Sequence, residues 1–368
     1  MKIRKITPVA ADLPLDHPLT LSFGVLTSRK VFFVRVDTEE GLTGLGEVWT
    51  NFPAYNAASK RILYDDCLSF LEGATFERPE DVRAKIDERV LNAGAGRQWG
   101  AYGHLMQAVS GIDLAVWDIC AQAAGLPLYR YIEPGAQPAT VPAYASGLAD
   151  RLAEVSGRAV QAGFRAFKLK IGLGRQNDLD NLRLLREIIG NTTLYLDANQ
   201  GFRTADDAAK ALDEYARFDF EFVEEPLPAL DYAGQAALRR RGFTLAGGEN
   251  AYSMLEFDNL IRFGCVDIVQ PDVTKCGGLT QAVRVRRTLP EATAFAPHMF
   301  SGIVGQTASL HLLTALCGKT METDVNPNPA LRVGDGPFAF RDGCYTLRDD
   351  RPGLGVTLDW TYLQKYAI

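Results

Sequence analysis

Seven ionisable residues recur at nearly regular intervals after Val141 in this 368-residue chain, each at or near the end of a short β-rich run. They are Lys170, Asp197, Glu224, Glu249, Asp272, His298 and Glu322, with separations of 27, 27, 25, 23, 26 and 24 residues. Such an interval suits one strand followed by one helix. Because parallel strands in a barrel end at one common face, the spacing predicts that these side chains meet around one centre.

Three of these residues are carboxylates that end consecutive runs, Asp197 in LYLDAN, Glu224 in FVEEP and Glu249 in AGGEN. Three like charges around one point need a cation, and hard oxygen ligands favour Mg²⁺ over zinc, for which there is no Cys or His cluster. Taken singly, Asp197 could cap a turn or helix and Glu224 could form an ordinary salt bridge. The even spacing favours a shared magnesium site.

Lys168 and Lys170 alternate with apolar residues in FKLKI, so the period of a strand places both ammonium groups on one face. If that face points into the barrel, burial and the neighbouring like charge are expected to lower the lysine pKa, so that one lysine can act as a base. The alternative is a solvated strand edge, which a KxK pattern alone does not exclude.

His298 follows the largely apolar run from Ala294 to Pro297, and Asp272 ends the preceding unit. An aspartate there can hold one imidazole nitrogen while the other exchanges a proton. Glu322 could donate a hydrogen bond to a developing oxyanion if its pKa is raised. The alternatives are a structural histidine and a surface carboxylate. A metal that neutralises a substrate carboxylate would allow a lysine or a histidine to remove the proton on the adjacent carbon and give an enolate. The combination of these groups therefore predicts this class of reaction.

The elements that must position these groups follow two patterns. Lys2 to Val48 is strand-like and predicts a small antiparallel sheet, and helical spacing follows over Ala57 to Leu71, Pro79 to Leu91 and Leu105 to Ala124. After Val141, the runs AFKLKI, TLYLD, FEFVE, FTLAGG, VDIVQ, TAFAP and TMET alternate with helical stretches. An α+β lobe therefore precedes an α/β barrel, since an open sheet would not gather seven consecutive strand ends.

The composition excludes several classes of protein. The net charge is −6, from 39 Lys and Arg against 45 Asp and Glu, and no basic block is present, which argues against nucleic-acid binding. No apolar run approaches the roughly 20 residues of a membrane span, and no signal peptide is recognisable at the N-terminus. The six cysteines are scattered without a CxxC pair, which favours a reducing cytoplasm.

Several motifs resemble those of one family across essentially the whole chain. They are SGIDLAVWDICAQAAGLPLY, KLK, DAN, EEP, GGEN, QPDVTKCGGLT, PHMF, METDVNPNP and DRPGLGV. Together they resemble the mandelate racemase/muconate lactonizing enzyme family of the enolase superfamily, and the pairing of Asp272 with His298 resembles its mandelate racemase subgroup. The resemblance implies a modified (β/α)7β TIM-like barrel over residues 133–337, an α+β capping domain over residues 1–132, and a C-terminal segment, 338–368, that completes the cap.

The resemblance also implies roles for individual residues. Asp197, Glu224 and Glu249 would bind Mg²⁺, Lys170 would be one acid/base tuned by Lys168, Asp272 with His298 would form the opposite pair, and Glu322 would be a hydrogen-bonding acid. Lys275 lies in the region where other branches of the family, the muconate lactonizing enzymes and dipeptide epimerases, carry a lysine. Asn199, Phe23, Trp49 and Phe52 would contact the substrate, the last three from two mobile capping loops, near Phe23 to Lys30 and Glu47 to Pro53. Family members are commonly homo-oligomers that act on small carboxylates.

The same proton abstraction begins dehydration, racemisation or epimerisation, and lactone cycloisomerisation in this family. The DVNPNP, GGEN and TKCGG contexts favour dehydration of a hydroxylated carboxylic (sugar) acid, whereas the apolar residues Trp49, Phe52, Met299 and Phe300 suit a smaller or less hydroxylated substrate. One rival interpretation, a Schiff base on Lys170, leaves the three carboxylates unexplained. Another rival, a non-catalytic binding barrel, predicts that at least one of the chemically active residues is lost, but all five are present: Lys170, Asp197, Glu224, Glu249 and His298.

Overall fold

The computed structural model describes residues 1–21, 24–50, 56–91, 102–348 and 350–368. The chain begins with a three-stranded antiparallel sheet, in the order β1 (Ile3–Leu21), β2 (Gly24–Thr38) and β3 (Thr43–Glu47). The β-branched and aromatic run at residues 31–36 lies in β2, where alternating side chains pack into two apolar clusters on opposite faces of the sheet. Gly41 makes the β2–β3 turn with a φ of 87°. The predicted antiparallel sheet is confirmed.

Helices α1 (Asn56–Leu63), α2 (Pro79–Ile86), α3 (Tyr102–Ala123) and α4 (Leu128–Ile132) complete this lobe. After α1 the chain stays helical but changes its winding, first wider over Tyr64–Leu68 and then tighter over Ser69–Leu71. The buried helix α3 lies directly against β3. A Cβ atom at Gly44 would stand 2.0 Å from the Ala115 carbonyl oxygen, so glycine is required for this contact.

Within the described residues, eight parallel strands form the main sheet, in the order β11, β4, β5, β6, β7, β8, β9, β10. Their bounds are β4 (Thr140–Leu148), β5 (Ala166–Lys170), β6 (Thr193–Asp197), β7 (Phe222–Glu224), β8 (Leu245–Gly247), β9 (Ile268–Val269), β10 (Ala294–Phe295) and β11 (Met321–Asp324). One helix follows each strand before the last, which is the predicted (β/α)7β order.

The intervening helices are α5 (Leu152–Gln161), α6 (Arg175–Ile189), α7 (Ala205–Tyr215), α8 (Tyr232–Arg240), α9 (Met254–Arg262), α10 (Leu279–Thr288) and α11 (Ile303–Ala315). Their apolar faces and the strands share one large buried core. Helix α11 differs from the others because all thirteen of its residues are buried. It therefore lies in the interior, in contact with both the barrel and the cap, and its N-terminus follows the loop that carries His298.

The C-terminal segment contacts both parts of the molecule. Strand β12 (Gly334–Asp335) pairs with β15 (Thr357–Leu358), and β13 (Phe338–Arg341) pairs with β14 (Cys344–Leu347), which in turn pairs with the start of β4. After helix α12 (Trp360–Lys365), the carbonyl of Tyr366 accepts a hydrogen bond from the Asp12 amide of β1. Residues 338–347 thus extend the barrel sheet, whereas the chain end reaches the N-terminal sheet.

Two further findings concern the class of protein. None of the helices in the described ranges is long and apolar enough to cross a membrane. All six cysteines have free thiols, although Cys120, Cys265 and Cys276 are buried. These three buried thiols therefore act as small core side chains.

Candidate active site

The parallel register of β5 and β6 brings the two lysines onto the carboxylate side of the barrel. Lys168 pairs with Tyr195 and Lys170 with Asp197 along the two strands. The Lys170 Nζ donates to Asp197 Oδ2 at 2.5 Å and to Asn199 Oδ1 at 2.6 Å, and the Asn199 amide donates to Asp197 Oδ1 at 2.9 Å. Both lysines point into the barrel and are buried, as predicted.

Lys168 lies at the centre of the acidic cluster. Its Nζ stands 2.6 Å from Glu224 Oε2, 2.6 Å from Glu322 Oε1 and 3.4 Å from Asp197 Oδ2. Burial alone would lower the pKa of Lys168, but the carboxylates, Glu224 first, raise this pKa well above its usual range. The expected lowering is therefore wrong for Lys168, because its nearest charged groups are carboxylates of opposite sign.

Glu224, at the end of β7, has one satisfied and one unsatisfied oxygen. Its Oε2 accepts hydrogen bonds from Lys168 and, at 2.8 Å, from Gln270 Nε2. Its Oε1 is fully buried and has no hydrogen-bond partner in the part of the chain that the structure describes. Burial, reinforced by the charge of Asp197, raises the pKa of Glu224 to about 7. A buried, unpaired carboxylate oxygen of this kind is costly unless a cation binds it.

The Asp272–His298 pair forms the opposite side of the cluster. His298 Nδ1 lies 2.8 Å from Asp272 Oδ2, and Asp272 Oδ1 accepts the amide and hydroxyl hydrogens of Thr274 at 2.7 and 2.6 Å. His298 Nε2 faces inward and lies 2.6 Å from Glu249 Oε2. Burial would lower the pKa of His298, but Glu249 and Glu322 raise it well above its usual range. The structure therefore brings these two residues together as the sequence predicted, with one ring nitrogen held and the other directed to the centre.

A candidate metal centre lies between the two sides. Among the described residues, ligand atoms of Glu224, Glu249 and His298 all lie within 4.8 Å of one another, and all three residues are buried. Two carboxylates and one imidazole fit a divalent cation. Asp197, the other predicted ligand, is not in this cluster; its Oδ2 contacts the Lys170 ammonium group at 2.5 Å and lies 3.4 Å from Lys168 Nζ, which also contacts Glu224.

Glu322 accepts hydrogen bonds on both oxygens. Ser146 Oγ donates to its Oε1 at 2.6 Å, and the Met299 amide donates to its Oε2 at 3.0 Å. Burial would raise the pKa of Glu322, but the Lys168 ammonium lowers it to about 2. The raised pKa that a hydrogen-bond donor would need is not found, because the Lys168 ammonium group contacts this carboxylate directly. Glu322 is instead an ionised acceptor that holds the loop of Met299.

Lys275 borders the histidine side. Its Nζ donates to Asn250 Oδ1 at 2.9 Å, stands 3.8 Å from Glu249 Oε2 and lies 4.6 Å from the centre of the Trp49 ring. Burial would lower the pKa of Lys275, but Glu249 raises it above the usual range. The Trp49 ring is itself 5.8 Å from the His298 ring. Lys275 thus neutralises Glu249 from outside and supports Trp49 by a cation–π contact.

The four predicted substrate contacts have different outcomes. Asn199 is bound to Lys170, as described above. Trp49 packs with Leu19, Leu26 and Phe300 in a small apolar cluster shared by the cap and the barrel. Phe23 and Phe52 lie outside the described residues. The border of the site next to His298 is therefore apolar.

Three features of the site were not predicted from the sequence: Ser146, Gln270 and a buried ion pair that joins the cap to the barrel. Arg29 Nη2 of β2 donates to Asp324 Oδ2 of β11, and the guanidinium carbon lies 4.3 Å from the Phe300 ring centre. Gln270 stands two residues before Asp272, so strand alternation could have indicated it. The ion pair joins positions 295 residues apart, and no local pattern marks it.

Comparisons with known proteins agree with this geometry. Residues 4–132 match the mandelate racemase/muconate lactonizing enzyme N-terminal domain, and residues 150–362 match the enolase C-terminal domain-like family. The chain is 33% identical to a 3,6-anhydro-alpha-L-galactonate cycloisomerase of Streptomyces coelicolor, over 97% of each chain. It is 30% identical to an L-talarate/galactarate dehydratase of Salmonella typhimurium, over 96% of this chain and 89% of that enzyme.

The solved structures give the same result. A racemase from Streptomyces coelicolor with bound magnesium superposes with a TM-score of 0.88 at 30% identity and covers the whole of both chains. The two domain matches together span most of the chain, and the named relatives are dehydratases, cycloisomerases, epimerases and racemases. The chain therefore belongs to the mandelate racemase/muconate lactonizing enzyme family of the enolase superfamily and is an enzyme.

Proposed function

We propose that this enzyme removes the proton adjacent to the carboxylate of a small hydroxylated acid, with Mg²⁺, and then expels an oxygen from the next carbon, so that a sugar acid is dehydrated. One observation carries the proposal. Lys170 contacts Asp197 on β6, His298 contacts Glu249 beyond β8, and Glu224 on β7 lies between them. Two proton-transfer groups thus approach one carboxylate centre from opposite sides.

The residues present fit a bound magnesium ion. Glu224 and Glu249 would hold it together with Asp197, whose Oδ2 lies 3.4 Å from the same Lys168 Nζ that contacts Glu224. His298, the third member of the geometric cluster, is held by Asp272 and is assigned to proton transfer instead of metal binding. The unpartnered Glu224 Oε1 supports the metal assignment. The ion would neutralise the substrate carboxylate and thereby favour ionisation of the adjacent C–H bond. Lys168, which binds Glu224 and Glu322, would keep these carboxylates in place.

The proton transfers belong to Lys170 and His298. One of them, entering the cycle unprotonated, takes the α proton and leaves the enolate of the substrate. The other donates a proton to the departing β-hydroxyl group, so that the C–O bond breaks and water leaves. The resulting enol becomes a keto acid by taking up a proton at the β carbon. Asp272 keeps the imidazole oriented through Nδ1 while His298 Nε2 exchanges the proton.

A second candidate is cycloisomerisation, in which the departing β-oxygen belongs to a ring. The same two proton transfers would then open the ring without releasing water. Two observations favour it: the apolar cluster of Trp49, Leu19, Leu26 and Phe300 beside the site, and the 33% identity to a named cycloisomerase. An apolar wall suits a compact cyclic substrate better than an extended polyol, whose hydroxyl groups it would leave unpaired.

The test is a screen of the wild-type enzyme with Mg²⁺ in deuterated water, against aldonic and aldaric acids, their lactones, and other α-hydroxy and α-amino acids. NMR would follow deuterium at the α carbon, and a keto-acid assay with mass spectrometry would identify the product. A keto acid lighter by one water supports dehydration. A keto acid that is an isomer of the substrate, apart from the deuterium it takes up at the β carbon, indicates cycloisomerisation, and α-deuterium in an unchanged skeleton indicates a racemase or epimerase.

Two outcomes would contradict proton abstraction altogether. One is the absence of exchange with every acid and lactone, with and without metal. The other is metal-independent trapping of a substrate on Lys170 by borohydride, which would indicate Schiff-base chemistry. Strict dependence on Mg²⁺ would count against that rival, because a Schiff base needs no metal.

A further inference from the structure

Glu47, the last residue of β3, is buried in the contact between cap and barrel, with 4% of its surface exposed. Its Oε1 accepts the Gly302 amide hydrogen at 2.5 Å, and its Oε2 accepts that of Gly305 at 2.8 Å. Both amides belong to the N-terminus of α11, where free N–H groups and the helix dipole favour a carboxylate. Glu47 belongs to the cap and thus caps a helix of the barrel. The first amide that it binds, that of Gly302, lies four residues after His298.

The packing around this carboxylate is close. A Cβ atom on Gly302 would lie 3.0 Å from Glu47 Oε1 and 2.9 Å from the Ala330 carbonyl oxygen. A Cβ atom on Gly305 would lie 2.7 Å from Thr274 Cγ2. Glycine at both positions therefore lets the start of α11 approach Glu47 on one side and the Thr274 loop on the other.

The short cap segment that begins at Glu47 also holds the loop of Asp272. The Trp49 amide donates to the Thr274 carbonyl oxygen at 3.1 Å. Thr274 in turn donates its amide and hydroxyl hydrogens to Asp272 Oδ1. Residues 47–49, which we name the cap clamp, therefore bind both barrel loops that supply the Asp272–His298 pair, one through a side chain and the other through the backbone.

We propose that the cap clamp positions the Asp272–His298 pair for proton transfer, and that Glu47 is a positioning residue for His298. The role of His298 in proton transfer rests on the proposed function, whereas the contacts of the cap clamp do not depend on it. Glu47 acts through the backbone of the loop from Met299 to Gly302, whose other end is held where the Met299 amide donates to Glu322. With Glu47 removed, that loop keeps the Met299 bond and the bond from Asn328 Nδ2 to the Ser301 carbonyl oxygen at 3.2 Å, and it loses the contacts of the Gly302 and Gly305 amides.

The Lys170 side is anchored differently. The amides of Gly172 and Leu173, which follow Lys170, donate to Asp178 at 2.9 and 3.1 Å. Asp178 belongs to the barrel helix α6, so this anchor does not involve the cap. Loss of the Glu47 contact should therefore impair proton exchange at the His298 face and spare exchange at the Lys170 face.

The experiment compares Glu47→Gln with Asp118→Asn in the full-length enzyme with Mg²⁺. Asp118 is the matched control, because it is also a buried carboxylate whose two oxygens accept backbone amides, those of Leu45 at 2.9 Å and Leu354 at 2.8 Å. Each amide variant keeps one acceptor oxygen and loses the other. Hydrogen–deuterium exchange with mass spectrometry needs no substrate and measures the contacts directly.

In Glu47→Gln, amide exchange over residues 299–306 should rise by about 10-fold, as expected for the loss of one charge-assisted hydrogen bond. In Asp118→Asn, exchange should rise at Leu45 and Leu354 and stay at the wild-type value over residues 299–306. Unchanged exchange over that loop in Glu47→Gln would overturn the inference, whatever the enzyme catalyses. If Glu47→Gln does not fold, Gly302→Ala, which pushes the loop away from an intact Glu47, should give the same local rise.

The second readout uses an acid that the wild type deuterates in the screen proposed above. Glu47→Gln should lower kcat for exchange at the His298 face by about 10-fold, leave KM within about 2-fold, and leave exchange at the Lys170 face unchanged. Equal losses at both faces, or no loss despite a mobile loop, would overturn the positioning role. Failure of the wild type to exchange any acid would instead contradict the proposed function, and the amide-exchange result would still decide the contacts.

Discussion

The two halves of the active site are built in different ways. The lysine half lies on regular strands of the barrel, where Lys170 and Asp197 are register partners on β5 and β6. The histidine half lies on loops that follow two-residue strands, β9 and β10, and its loops are bound by the cap through Glu47 and Trp49. The first half is a property of one sheet, whereas the second depends on contact between two parts of the chain.

This difference separates two sources of precision in one site. Strand pairing fixes the lysine half to the register of the sheet, because a shift by one residue would turn both ammonium groups out of the barrel. The loops of the histidine half have few ladder hydrogen bonds, so side-chain and cap contacts must hold them. We therefore expect perturbations of the cap to reach His298 before they reach Lys170.

The largest expected effect comes from removing either proton-transfer group. Lys170→Ala and His298→Asn should each lower turnover by about 10²–10⁴-fold, since positioned acid–base groups contribute at that level. Each variant should retain deuterium exchange at the face of the remaining group, measured by NMR in deuterated water. Thermal denaturation provides the control for folding. Wild-type turnover by both variants would contradict the assignment of both halves.

The next largest effect should come from the buried ion pair between Arg29 and Asp324. Arg29→Met leaves the Asp324 carboxylate buried without its cation and should reduce the free energy of unfolding by about 3–5 kcal/mol, measured by urea denaturation. Since the guanidinium stacks on Phe300, two residues after His298, exchange at the His298 face should also fall more than exchange at the Lys170 face.

Asp324→Asn is the companion to Arg29→Met, because it leaves the opposite charge buried. If the pair acts as a unit, combining the two substitutions should cost less than the sum of the single changes. Additive losses would mean that the two side chains are stabilised separately. Equal effects on both proton-exchange faces would contradict the division of the site into a barrel half and a cap-dependent half.

The metal centre lies between the halves and should respond to a change in one oxygen. Glu224→Gln replaces the carboxylate whose Oε1 has no partner among the described residues and should weaken Mg²⁺ binding by at least ~100-fold, measured by calorimetry. Chelation of the wild type should remove turnover, and Mg²⁺ should restore it and raise the melting temperature. The control is Glu221→Gln, because Glu221 lies three residues before Glu224, at the opposite end of the barrel from the site. Undiminished Mg²⁺ affinity in Glu224→Gln would contradict the ligand assignment.

The sequence predicted which residues share the site better than it predicted their charges and supports, and the reason is physical. Alternation in FKLKI and the ends of the β-rich runs indicate which face each strand residue occupies, so Lys168, Lys170, Asp197 and Glu224 could be assigned to one site from local patterns. The pairing of Asp272 with His298 also followed from the spacing of the units. These are short-range regularities that the chain shows directly.

Other features depend on contacts that no local pattern records. Glu47 was noted only as the edge of a capping loop, and its bonds to Gly302 and Gly305 join positions more than 250 residues apart. The pKa of Lys168 was expected to fall, and a raised pKa was the condition under which Glu322 could donate a hydrogen bond. Both pKa values move in the opposite direction, because the sequence does not reveal that these two groups contact each other. Charge at a site is a sum over neighbours, so an incomplete set of neighbours gives the wrong sign.

The smallest expected effect concerns the electrostatics of the cap itself. Burial raises the pKa of Asp118 to about 6, although the amides of Leu45 and Leu354 favour its ionised form. Because this pKa lies above the ordinary value of 3.8, the folded state holds a proton that the unfolded state has released. The stabilising contribution is therefore complete below pH ~4 and is lost as the pH rises through 6.

Between pH 4 and pH 7, the wild type should lose on the order of 2 kcal/mol of unfolding free energy relative to Asp118→Asn, measured by urea denaturation at each pH. Parallel stability profiles for the two proteins would contradict the raised pKa. The ionised Asp118 is also the stronger acceptor, so amide exchange at Leu45 and Leu354, after correction for intrinsic rates, should slow over the same pH rise in the wild type and stay unchanged in Asp118→Asn. Faster exchange at these two amides with rising pH would contradict their bonds to the Asp118 carboxylate.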